Sequence, residues 1–200
     1  MTEKEVEVRK RLIVVVVLVE VVSLALLLLF LRLKIVPDAK ETALLMMLPI
    51  VFGLHVTEEF IAPGGFISWN NLFRPQFART SASYYVKLNG YVLVLSLLVV
   101  LGAFDYRGGF GFGISSWLVV ATFMSWNAIY HLRGAIKTRS YSPGMVTGLG
   151  LFWPLTVISC AHFMETGVMR PWMFVECTVV ALLIQPALDA MKRHGQKKSA

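Results

Sequence analysis

Residues 12–31 read LIVVVVLVEVVSLALLLLFL, an apolar run interrupted only by Glu20 and Ser23. A helix rises ~1.5 Å per residue, so about 20 such residues cross the hydrocarbon core of a bilayer. A charged head, KEVEVRKR at 4–11, precedes the run. The stretch exceeds the apolar core of a secretory signal and no small-residue cleavage site follows, so the sequence predicts a retained membrane helix.

Further apolar stretches fall at 43–61, 85–104, 110–131, 145–163 and 171–190, each bounded by charge, Pro or Gly. With 12–31 they predict an all-α integral membrane bundle of about six transmembrane helices, a single membrane domain over 1–200. The composition agrees: 56% of the 200 residues are apolar and the mean hydropathy is +0.67. The net charge of +7 does not mark a nucleic-acid protein, because the Lys and Arg residues sit in short segments between apolar runs. With the N-terminus inside, Lys4, Arg9, Lys10, Arg11, Arg74, Arg79, Lys87, Arg133, Lys137, Arg139, Lys192, Arg193, Lys197 and Lys198 face the cytoplasm. Only Arg32, Lys34, Lys40, Arg107 and Arg170 face out. That bias places both termini in the cytoplasm and predicts a multi-pass protein of a bacterial plasma membrane. Cys160 and Cys177 have neither metal-finger spacing nor disulfide density.

One connection is long. Residues 62–83, APGGFISWNNLFRPQFARTSAS, hold no spanning run. They read as an interfacial or re-entrant segment with Phe66, Trp69, Phe73 and Phe77 in the lipid boundary, or as a lid over a neighbouring site.

An ionisable group inside a span is costly and asks for a partner or a purpose. His55, Glu58 and Glu59 close the second span in the run HVTEE, and spacings of three and four put the glutamates on the histidine's side of the helix. Adjacent carboxylates in a low-dielectric site call for a neutralising cation. The fourth span ends in WNAIYHLRG, where Asn127 and His131 share a face. The second and fourth spans run the same way, so these ends lie at one depth, with Asn89 of the third span in the same layer. Arg133 follows directly and could hold an anionic headgroup or carboxylate. Glu20 and Gln185 are deep enough to join the site or to bridge helices. A look-alike, AHFME with His162 and Glu165, ends a span running the other way and belongs ~30 Å distant.

HVTEE, the Trp-containing loop after it, and NAIYHLRGAIKTRSYSPGMVT together resemble the HXXEE-domain family of small membrane proteins, over roughly residues 43–165. The resemblance implies a metal-binding membrane enzyme using His55, Glu58, Glu59, Asn127 and His131, with Asn89 in addition, and supplies no substrate.

Nitrogen and oxygen donors without thiolate suit a divalent metal such as zinc, iron or manganese. Two mechanisms fit. In one, His55, His131 and one glutamate hold zinc while the other glutamate is general base, giving a hydrolase with Glu58, Glu59 and His131 in catalytic roles and Asn89 and Arg133 on the substrate. In the other, a two-His, one-carboxylate face binds iron and activates oxygen. A di-iron site needs more acid than this layer offers, unless Glu20 joins. The expected partners are the lipid bilayer and a small lipophilic or headgroup-bearing substrate near the cytoplasmic leaflet. A small transporter and an accessory subunit remain as non-enzymatic readings.

Overall fold

The computed structural model describes residues 2–33, 39–104 and 112–197. Of the charges weighed for orientation, Lys34, Arg107 and Lys198 lie outside them, as do the first two residues of the span expected at 110–131.

The described chain is helical, with no strand among the described residues. Its helices are α1 (Glu3–Leu33), α2 (Ala39–Phe60), α3 (Phe66–Phe73), α4 (Ala82–Ala103), α5 (Phe112–Thr138), α6 (Met145–Glu165) and α7 (Pro171–Lys197). Five of them, α1, α2, α4, α6 and α7, are long and apolar enough to cross a membrane. The sixth long helix, α5, spans 27 residues and carries Asn127, His131 and Arg133 in its last turns. The outward side chains of α1 include Val14, Val17, Leu18, Val21 and Leu28, all exposed, so the bundle presents to its surroundings the apolar surface a bilayer covers. The two cysteines are free.

α2 lies inside the bundle, against α1 and α4, and its end meets α6. Pro49 within it has no N–H to give the Leu45 carbonyl one turn back. The Trp117 indole N–H of α5 donates to that carbonyl instead (3.1 Å), so the break in one helix becomes a tie to another. α6 opens on Gly144, whose φ of 98° favours a residue without Cβ. Its turn at Gly148–Phe152 is π-helical, and a Cβ on Gly148 would lie 2.9 Å from the Ala128 methyl of α5. The glycine lets α6 approach α5 closely just where α5 carries Asn127.

In segment 62–83 the aromatic side chains turn inward. Phe66, Trp69, Phe73 and Phe77 are all buried, and within α3 it is Ser68 and Leu72 that face out. α3 is fastened from three sides. Glu5 of α1 accepts from the Ser68 N–H in its first turn (3.0 Å), and the Tyr130 hydroxyl of α5 donates to Asn70. Just past its end, Arg74 forks onto Asp189 of α7 through bonds of 3.0 and 2.7 Å. A two-pronged guanidinium–carboxylate pair fixes orientation as well as distance. A Cβ on Gly134 of α5 would fall 2.2 Å from the Trp69 ring, so only glycine there admits the indole.

Candidate metal centre

The ends of α2 and α5 meet, and the start of α6 closes over both. His55 Nε2 and His131 Nε2 lie 3.5 and 3.2 Å from Glu59 Oε1. Asn127 Nδ2 sits 3.3 and 3.2 Å from the same two ring nitrogens. His55, Glu59 and His131 are each buried, and their ligand atoms all fall within 4.8 Å of one another. No other group of three such side chains gathers among the described residues.

The remaining ring nitrogens are held from behind. His55 Nδ1 meets the Thr147 hydroxyl at 2.9 Å, and His131 Nδ1 meets the Ser142 hydroxyl at 2.8 Å. Thr147 has one hydroxyl proton, and Glu58 Oε2 lies 2.6 Å from that oxygen. Glu58 also accepts from the backbone N–H groups of Val146 (3.1 Å) and Thr147 (2.7 Å) and from the Tyr141 hydroxyl, so it acts as an ionised acceptor. Thr147 therefore donates to Glu58 and accepts from His55 Nδ1–H. A neutral His55 then keeps a lone pair on Nε2, aimed at Glu59 and Asn127. A partner that fixes the tautomer and turns the ring is the usual support of a metal-ligating imidazole.

The two adjacent glutamates have separate employment. Glu59 faces the imidazoles. Glu58 points to the other side and serves the opening turn of α6, whose first N–H groups have no partner within their own helix. The two carboxylates therefore do not share one pocket: only Glu59 stands among the metal-ligating groups, and Glu58 is met by N–H and O–H donors. Burial, and then the Glu58 carboxylate, push the Tyr141 phenol in the α5–α6 loop above its ordinary range, which keeps it a donor.

The ceiling is aromatic. Trp69 stacks on the His131 ring (centroids 5.6 Å, 18° between planes), Phe66 lies 5.8 Å from that ring, and Phe152 meets His55 at 5.6 Å. Gly144 fits between them: a Cβ there would come within 2.7 Å of His131, 2.8 Å of His55 and 2.9 Å of Glu59. Beside the cluster opens a cavity of about 80 Å³ shared by His55, Glu59, Asn127, Asn89, Gln185 and Lys192.

The residues singled out from sequence thus divide. His55, Glu59, Asn127 and His131 come together. Asn89 lines the cavity while donating to the Tyr85 carbonyl (2.9 Å), and Gln185 lines it while donating to Asp189 (3.2 Å). Glu58 stands one step behind, linked to His55 through Thr147. Arg133 is exposed and is not among the residues lining the cavity. Glu20 packs on Gly53, where a Cβ would meet its carboxylate, and is not in the three-residue cluster. Ser142 and Thr147 were missed, as was Lys192 as a cavity residue. The hydroxyls lie in the stretch TRSYSPGMVT, whose only sequence signal is that it follows His131 closely.

The donor set suits a divalent metal: two imidazole nitrogens and a carboxylate oxygen converge, with each imidazole backed by a hydroxyl. No curated protein and no solved structure matches the chain. A family model described as "protein of unknown function with HXXEE motif" matches residues 46–159, more than half of the chain, and the protein belongs to that family.

Proposed function

We propose that this protein is a metal-dependent membrane enzyme of hydrolase type, acting near the cytoplasmic leaflet on a lipid-like or membrane-delivered substrate. The observation that carries the reading is the convergence of His55 Nε2, His131 Nε2 and Glu59 Oε1, with Nδ1 of each ring engaged by a hydroxyl. Zinc in such a two-His, one-carboxylate set lowers the pKa of a bound water and polarises a carbonyl or phosphoryl group.

The chain's own residues supply the rest. Ser142 and Thr147 hold the imidazoles in place. Trp69, Phe66 and Phe152 keep water from the far side of the rings. Each oxygen of Glu58 receives two donors, so the carboxylate that would complete the metal's ligand set is Glu59 and not its neighbour. Asn127 is positioned to hold a substrate oxygen beside the imidazoles. The charge bias along the sequence favours the cytoplasmic side, because this end of the bundle also holds the start of α1 and the last turns of α7.

The same three donors also match the face that non-haem iron uses, which keeps an iron-dependent oxygenase as the second reading. The amides of Asn89, Asn127 and Gln185 around the cavity favour a substrate bearing a carbonyl or a charge, and so favour hydrolysis. The test is turnover of chromogenic acyl esters and phosphoesters in neutral detergent micelles. The expected result is hydrolysis that chelation abolishes, zinc restores and Glu59→Gln removes. Oxygen consumption with iron, and no hydrolysis with any metal, would overturn it in favour of the second reading.

A further inference from the structure

The cavity beside the histidines opens between two helices, α4 and α7. α4 and α7 both lie against α5, but among the described residues they make no extended contact with one another. Leu88, Asn89 and Val92 of α4 face the cavity from one side, and Gln185, Leu188 and Lys192 of α7 face it from the other. All six are half-buried, as the walls of a cleft are. Spacings of three and four along each helix put each set on one face. The floor is α5, through Phe123, Met124 and Asn127. The cleft is therefore apolar along most of its wall, with amides at intervals and one cation.

That cation is Lys192. Its ammonium lies 5.4 Å from the Phe77 ring, 5.5 Å from Tyr84 and 5.9 Å from Tyr85, a three-sided aromatic seat. The carboxylate one turn away, Asp189, is taken by the fork of Arg74 and by the Gln185 amide. Glu59 is turned to the imidazoles. Among the described residues no carboxylate comes within ion-pair distance of Lys192, although it borders the same cavity as His55 and Glu59. Asp189 and Glu59 act on this ammonium only from a distance, and, half-buried, held by rings and without a carboxylate in contact, it is placed to receive an anion.

We propose that the cleft between α4 and α7 binds an amphiphile with an anionic head, carboxylate or phosphate, its head on Lys192 and its chain along Leu88, Val92 and Leu188. The ligand enters sideways from the bilayer, which brings the groups next to the head up to the His55–Glu59–His131 cluster. The proposal deepens the reading of that cluster as a reacting centre by naming its substrate class. Recognition of the head itself needs no metal.

The experiment is thermal unfolding of the full chain in neutral maltoside detergent, titrated with dodecyl phosphate, dodecanoate, dodecanol or inorganic phosphate, before and after chelator treatment. The two anionic amphiphiles are expected to raise Tm; dodecanol and inorganic phosphate are not. Lys192→Met is expected to raise the half-saturating concentration about tenfold or more, as loss of a charge-assisted contact does. Lys192→Arg restores binding, and Lys137→Gln, a lysine over the Phe73 ring on the outer side of α5, leaves it unchanged. Equal stabilisation by dodecanol, a full effect of inorganic phosphate alone, or unaltered binding by Lys192→Met would each overturn the proposal. Binding that survives chelation separates this claim from the metal reading, which fails or stands on metal content alone.

Discussion

Two helix ends in this protein carry a histidine three residues before a glutamate. At the end of α2, His55 and Glu58 with Glu59 beside them are buried, and α5 and α6 bring a second imidazole, an amide and two hydroxyls to meet them. At the end of α6, His162 is buried next to Phe163, while Glu165 faces outward. The spacing is the same, but among the described residues only the α2 end gathers three metal-ligating groups. A shared helical face brings side chains within reach of one another, and at the α2 end a second helix supplies the further imidazole that makes a candidate site of it.

The comparison can be broken most strongly at Gly144, the residue that lets α6 close on the α2 cluster. Gly144→Ala puts a Cβ into contact with His131, His55 and Glu59 at a positive φ. The expected cost is about 2–5 kcal/mol, read as a fall in Tm, with metal binding lost alongside. Thr147→Val removes the hydroxyl between Glu58 and His55. Metal affinity, measured by competition with a chelator, is expected to drop about tenfold to hundredfold, with most of the fold intact.

Smaller effects sharpen the contrast. Tyr141→Phe takes one donor from Glu58 and should cost about 0.5–1.5 kcal/mol without altering metal content. Because the Tyr141 phenol is raised in the fold, the unfolded chain loses its proton first as pH climbs past about 10, and stability falls from there upward. Denaturation from pH 9 to 11 is expected to show a shallower fall in the Phe variant. Glu165→Gln at the other helix end should change stability by less than about 0.5 kcal/mol and leave metal binding untouched.

That the second and fourth long helices end beside one another was legible in the sequence, because hydropathy and helical spacing carry it. The run at 12–31 marked the first helix, and parallel spans brought HVTEE and NAIYH to one level. The helix itself starts earlier, at Glu3, since charged residues such as Lys4, Glu5 and Arg9 extend a helix as well as apolar ones do. α3 could not be read, because its eight residues are too few to show a period and its aromatics look equally suited to lipid and to a buried contact. The division of labour between Glu58 and Glu59 was equally hidden. It depends on the N–H groups of Val146 and Thr147, which no side-chain pattern announces. Lys192 read as one of many inner positive charges until the fold set it against three rings.

The central claim is that the α2 end holds a metal where the α6 end does not. Elemental analysis of detergent-purified protein tests it most directly, with His55→Ala, Glu59→Ala and His162→Ala measured in parallel. The account predicts close to one zinc or iron per chain in the native protein and in His162→Ala, and almost none in the other two. Substoichiometric metal in the native protein, unchanged by His55→Ala or Glu59→Ala, would contradict it. The cluster would then stand as an imidazole–carboxylate lock between helices.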